Sequence, residues 1–196
     1  MSEKLPLVLG SGSVFRKAQL ERLGLAFQTA LPDFDETPAA GESAADTALR
    51  LAEGKARSLA AAFPAALIIG ADQVAWCGNR QLGKPMSVAK AQQMLLSLSG
   101  QCIEFYSAVV LLNTDSGKIY RHVDKTVVTM RCLDAAQIGR YLEREPDAVY
   151  CAGGAMSEGL GAALLERVES SDPNALIGLP LYRLIGFLQE EGVSVV

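Results

Sequence analysis

Asp72 stands inside the most apolar stretch of the chain, Leu67-Ile68-Ile69-Gly70-Ala71-Asp72-Gln73-Val74-Ala75-Trp76. A carboxylate in such a stretch is costly to bury unless it is paired, hydrogen-bonded or bound to a cation. The alternative is a place at the open end of the strand, facing a cleft. Lys55, Lys84 and a divalent metal are the candidate cations. Glu36, within Asp33-Phe34-Asp35-Glu36, is a second carboxylate on a loop, and the same loop also reads as a solvated turn. Ser11, Ser13 and Arg16 lie between a strand and the first turn of a helix. Backbone N–H groups, two hydroxyls and a guanidinium there can jointly hold an anion, or the segment is a capped helix with a surface arginine. Cys151 to Gly161 is dense in glycine and carries a single charge, Glu158. Such a stretch permits close backbone approach to a ligand, with Glu158 accepting from a base edge, or it is a mobile loop.

Two phosphate-binding fingerprints nearly match and fail for physical reasons. Gly78 to Lys84 has P-loop glycine spacing, but Pro85 replaces the hydroxyl that would ligate Mg²⁺ and restrains Lys84 away from the helical region. Gly10-Ser11-Gly12 follows a strand as a dinucleotide loop does, but Phe15 replaces the third glycine. His122 is the only histidine; beside Arg121 it is expected to face solvent without a catalytic role. With no G-x-S-x-G elbow either, serine-hydrolase chemistry is disfavoured.

The elements that must position these residues follow from periodicity and breakers. Leu5 to Leu9 reads as a buried strand, Phe15 to Leu23 as a helix stopped by Gly24, and Ala26 to Leu31 as a second strand. Ser43 to Phe63 is rich in alanine and free of proline, which predicts one long helix ended by Pro64. The apolar strand of Asp72 is expected to turn back at Asn79-Arg80. Ser87 to Leu98 reads as a helix ending at Ser99-Gly100. Phe105–Leu112 and Lys118–Met130 flank Asp115-Ser116-Gly117, a hairpin. Asp134 with Gln137 resembles a capping box that opens a helix to about Glu143, and Leu179 to Glu190 is the last helix. Strands alternating with helices, with hairpins among them, predict an α/β fold with a mixed sheet.

The chain has 196 residues, 49% of them apolar, and a net charge of −4, which disfavours a nucleic-acid partner while leaving room for a small anionic substrate in a local basic pocket. No apolar run approaches the roughly 20 residues a membrane span needs. Met1-Ser2-Glu3-Lys4 lacks the start of a secretion signal. The four cysteines form no C-x-x-C pair, so reduced, mostly buried thiols in a cytoplasmic protein are expected.

Taken in order, Ser11-x-Ser13-x-x-Arg16, Asp35-Glu36, Lys55-Ala56, Gly70-Ala71-Asp72, Gly83-Lys84-Pro85, Ser99-Gly100, Cys151-Ala152-Gly153, Glu158-Gly159, Asp172-Pro173 and Leu176 to Pro180 resemble the Maf family of nucleotide pyrophosphatases. Gln73, Glu158 and the aromatic Phe15 are similar to its 7-methyl-GTP pyrophosphatase subgroup. Val14, Gln19 and Ser171 depart from the usual pattern, and Phe15 stands where the subgroup usually has tryptophan. The resemblance implies one domain over residues 1–196, with an elongated mixed central sheet flanked by helices and two lobes with a cleft. It implies hydrolysis of 7-methyl-GTP to 7-methyl-GMP and pyrophosphate. Alternatives are other nucleotides, dTTP and UTP among them, or a non-hydrolysing regulator of cell division. The implied roles are Asp72, Lys55 and Lys84 in catalysis, and Ser11, Ser13, Phe15, Arg16, Gln73 and Glu158 at the substrate. Glu36 and Asp72 would hold Mg²⁺ or Mn²⁺, in a possible homodimer.

Overall fold

The computed structural model describes residues 5–37, 39 and 41–196. The reading of Met1 to Lys4 lies outside the described residues. The described residues form a seven-stranded mixed sheet with five α-helices. Its contacts divide it into two compact units. The first holds the chain up to Gln73 with Ser107–Asp124 and Asp172–Val196; the second holds Val74–Tyr106 and Lys125–Ser171.

The first unit begins with strand β1 (Leu7–Gly10), helix α1 (Val14–Glu21), strand β2 (Gln28–Ala30) and helix α2 (Ala44–Ser58). Strand β3 (Leu67–Cys77) follows, and β1 pairs in parallel with both β2 and β3. The hairpin-proximal parts of strands β5 (Cys102–Asn113) and β6 (Ile119–Met130), and the last helix α5 (Leu181–Glu190), complete it. Strand alternation sorts the side chains. Leu7, Leu9, Leu67, Ile69, Ala71, Val109 and Leu111 form one buried cluster with Leu20 of α1 and Leu181, Leu184 and Leu188 of α5. Gly70 points the other way, towards α2, where a Cβ would lie 2.1 Å from the Ala52 carbonyl oxygen. That close helix–strand approach is available only to glycine.

Helix α2 is shorter than its composition suggests. Ser43 caps it by accepting from the Asp46 N–H, but it ends at Ser58, and Leu59 to Ala62 continue as turns. The Ser58 hydroxyl donates to the Lys55 carbonyl at 3.0 Å, a local bond that competes with helix continuation. The last helix opens at Leu181 rather than Leu179, because Pro180 occupies its cap. Glu53 of α2 is held by both guanidinium nitrogens of Arg121 on β6, at 2.6 and 2.9 Å, and by Arg57 at 2.8 Å.

In the second unit β4 (Arg80–Leu82) turns back on β3 through Gly78-Asn79, with Gly78 at φ 60°. This hairpin is what the near P-loop spacing encodes. Helices α3 (Val88–Leu98) and α4 (Ala135–Arg144) pack together, and strand β7 (Leu165–Glu169) pairs antiparallel with β6. The capping box expected at α4 is present: Asp134 accepts from the Gln137 N–H while the Gln137 side chain accepts from the Asp134 N–H. No helix among the described residues is long and apolar enough to cross a membrane.

Two outcomes follow from this packing. Gly70→Ala forces α2 off the sheet and should cost about 2–3 kcal/mol, read from the urea midpoint. The Arg121 hydrogen bonds, aided by Arg57 against burial, hold the Glu53 carboxyl down to about 2 from an ordinary 4.5. Its stabilisation is therefore full above about pH 4.5 and lost as pH falls towards 2. Glu53→Gln should be less stable than the wild type at pH 7, with the difference closing in melts taken down to pH 2.

Candidate active site

Counting two by two along β3, Asp72 lies on the same face as Gly70 and so meets α2. Lys55 sits on that helix among Leu51, Ala52 and Ala56, its buried stripe. Lys55 Nζ donates to Asp72 Oδ1 at 2.6 Å, and both residues are only 7% exposed. The same ammonium lies 2.9 Å from Glu36 Oε1, whose side chain is largely exposed. The Phe34 ring, two residues before Glu36, packs against Gly54 of α2, in space that a Cβ there would occupy. Glycines at 54 and 70 thus let the helix approach the loop and the sheet together, with Lys55 between them.

Arg16 stands at the mouth of β1. Ser13 caps α1, accepting from the Arg16 N–H, and the Ser11 hydroxyl accepts from the Ser13 N–H at 3.2 Å. The Arg16 side chain is half-buried rather than on the surface. Its Nε donates to the Gly178 carbonyl at 2.9 Å and its Nη1 to the Ser11 hydroxyl at 3.4 Å. Burial pulls its pKa below the ordinary value, while Asp72 and Glu36 oppose the shift; an arginine stays cationic regardless. Gly178 has φ 121°, and a Cβ there would lie 3.3 Å from Arg16 Nε. Phe15 is half-buried on α1. Gln73 faces the opposite side of β3 from Asp72. Its amide nitrogen is shared among the Ser107 hydroxyl and the carbonyls of Ala175 and Leu176, at 2.8, 3.0 and 2.9 Å.

Lys84 and Glu158 belong to the second unit, and both are exposed. The glycine-dense stretch around Glu158 is strapped down. The Gly153 N–H donates to the Gly83 carbonyl, and the Met156 N–H to the Tyr141 hydroxyl. Gly153 and Gly154 take left-handed conformations, at φ 78° and 74°. Cys151 sits where Lys84 and Glu158 both act on it: burial, then Glu158, push its thiol up to about 11 against the opposing pull of Lys84. A protonated thiol is no nucleophile. The other cysteines differ from expectation, since Cys102 and Cys132 are exposed and none of the four is fully buried. His122 is half-buried rather than solvent-facing, 3.9 Å from Asp124. Burial first, then Arg183, lower its pKa against the pull of Asp124.

The structure thus gathers Ser11, Ser13, Arg16, Glu36, Lys55, Asp72 and Gln73 in the first unit. Sequence reasoning gave no role to Gly178, Gly54 or Phe34. Gly178 lies inside a quoted motif, but its function resides in a backbone carbonyl, which side-chain chemistry does not reveal. Asp72 and Glu36 already converge on one cation, and two carboxylates completed by water and phosphate oxygens are a donor set that Mg²⁺ accepts. No group of three or more acidic, histidine or cysteine residues among those described offers a fuller cage.

A family model for Maf-like proteins matches residues 6–191. The chain belongs to the Maf-like protein family. It is 70% identical over 195 residues to a Neisseria gonorrhoeae protein named 7-methyl-GTP pyrophosphatase, covering 100% of both chains. A protein of the same name from Neisseria meningitidis serogroup A is 69% identical over 100% of both chains. One from Chromobacterium violaceum is 54% identical over 96% of this chain and 98% of its own.

In this Maf-like protein, Lys55→Met would leave Asp72 buried without its ammonium and should cost about 3–5 kcal/mol. Adding Asp72→Asn should restore most of that loss, as a double-mutant denaturation cycle will read. Iodoacetamide at pH 8 should label Cys102 and Cys132 readily and Cys151 slowly, as peptide mass mapping over time will record.

Proposed function

We propose that this protein hydrolyses 7-methyl-GTP to 7-methyl-GMP and pyrophosphate, clearing a modified nucleotide. The observation that carries the reading is full-length identity of 70% to a protein named for that activity, together with the paired carboxylates around Lys55. Asp72 and Glu36 would hold a divalent cation, Mg²⁺ or Mn²⁺, which neutralises phosphate charge when bound. The four charges gathered here support this. Arg16 and Lys55 are balanced by Asp72 and Glu36, so the cluster lacks the surplus positive charge that a triphosphate requires.

Asp72 orients the attacking water and takes its proton as the water adds to the α-phosphorus and pyrophosphate departs. Phosphoryl-type transfer rests on positioning and neutralisation rather than on covalent chemistry. Arg16, fixed by Gly178 and Ser11, presents its guanidinium to phosphate oxygens, and Lys55 and Lys84 add charge. Ser11 and Ser13 contribute hydroxyl and N–H contacts at the helix start. Glu158 accepts from the N1–H and exocyclic amine of guanine, and Phe15 offers a face to the cationic methylated base. Because the Gln73 amide nitrogen is committed to Ser107 and two carbonyls, its contribution to the substrate falls to the carbonyl oxygen or to shaping the site. The same reading takes residues 1–196 as one domain, acting in the cytoplasm as a homodimer.

Pyrophosphate release with Mg²⁺ should be fastest on 7-methyl-GTP among 7-methyl-GTP, GTP, dTTP, UTP, CTP and ITP, and Glu158→Gln should erase the preference. A preference for dTTP or UTP would reassign the substrate. Binding without release would make the protein a nucleotide-binding regulator. Asp72→Asn should abolish turnover with the fold intact, because Lys55 keeps Glu36 as partner; substantial residual activity would remove Asp72 from the chemistry.

A further inference from the structure

Helix α1 presents Arg16 and Gln19 three residues apart, on one face. Both reach the same piece of backbone, Asn174 to Leu179. Arg16 Nε meets the Gly178 carbonyl at 2.9 Å, while Gln19 Nε2 donates to the Asn174 carbonyl at 2.8 Å and the Leu179 carbonyl at 3.4 Å. Gln19 therefore ties together the two ends of a turn whose middle does other work. The Ala175 carbonyl accepts from the Ser107 hydroxyl and the Gln73 amide, and the Leu176 carbonyl also accepts from Gln73.

Gln19 is a poor choice for stability alone. It is 3% exposed, and its Oε1 has no hydrogen-bond partner among the described residues. Two carbonyls face Nε2, so the amide orientation is fixed by the network. A methionine of the same reach would remove that unpaired oxygen, but it would also take the Nε2 donor from the Asn174 and Leu179 carbonyls. The residue thus leaves one desolvated oxygen unpaired where it sits, and what its amide nitrogen contributes is closure of the turn that holds Arg16.

We propose that Gln19 is a positioning residue, which fixes the Arg16 guanidinium through the Gly178 carbonyl by closing the Asn174–Leu179 turn. The consequence for turnover rests on the phosphate-binding role given to Arg16 above; the positioning itself does not.

The test is Gln19→Met, with Gln19→Glu as a second variant that also removes the donor. The melting temperature of Gln19→Met should change little, because loss of the unpaired oxygen offsets loss of the bonds to the Asn174 and Leu179 carbonyls. Its kcat/KM for 7-methyl-GTP should fall about tenfold, mainly through KM, since a misplaced phosphate-binding group weakens ground state and transition state alike. The Arg16 Nε–H resonance, assigned by its absence in Arg16→Lys, should shift and exchange faster with water. An unchanged resonance in both variants would overturn the proposal, as would a fall in melting temperature that accounts for the lost activity. If the wild-type protein releases pyrophosphate from no nucleotide, the functional reading fails, and the resonance alone decides whether Gln19 positions Arg16.

Discussion

Burying an ammonium strips it of water, and the cost is offset only where carboxylates take the place of that water. Lys55 is in this position, with Asp72 on one side and Glu36 on the other. Meeting that requirement constrains the surroundings. Helix α2 packs closely on β3 where Lys55 meets the strand carboxylate, and residue 70 there has no side chain. The loop with Glu36 must stay near the helix, so Phe34 seats itself in the gap that Gly54 leaves. The parity of β3 then does the rest, sending Asp72 towards the helix and Gln73 to the opposite face.

A cluster in which two cations are matched by two carboxylates is a poor anion trap on its own. Its value is geometric. Arg16 and Lys55 are held at fixed points by protein acceptors, so little side-chain entropy remains to be lost when a ligand arrives. A site of this kind binds phosphate well only when positive charge is added to it, which makes cation and nucleotide mutually dependent. The Ser11–Ser13 loop is built on the same economy, because its hydroxyls already cap α1 and accept from Arg16.

The sequence made the elements legible wherever breakers and caps were strong. Gly24, Gly100 and Gly117 all take positive φ at the expected stops, and the Asp134–Gln137 box opens its helix at the expected residue. The turn after β3, by contrast, falls at Gly78-Asn79, one residue before the expected Asn79-Arg80. Alanine content misled beyond Ser58, where that serine's hydroxyl bonds back to the chain and propensity yields to local chemistry. Asp72 stands out because a charge inside an apolar strand demands a partner, and Lys55 is among its candidate cations. The ties of Arg16 to Gly178, and of Gln73 to Ala175 and Leu176, were not legible. They join residues more than 100 positions apart through backbone carbonyls that every residue type carries.

The proposed preference for a methylated guanine also has an energetic ceiling. Glu158 is exposed, and in bulk water a unit charge about 4 Å away gains only about 1 kcal/mol from it, roughly a fivefold preference for a cationic base. Desolvation by the bound nucleotide would raise that figure, as would a second contact specific for the cation. Phe15 offers an aromatic face, but a phenyl ring holds a cation less strongly than the indole usual at that position in the subgroup. On the proposed reading, strong selectivity against GTP therefore depends on the base being enclosed when it binds, not on the carboxylate alone.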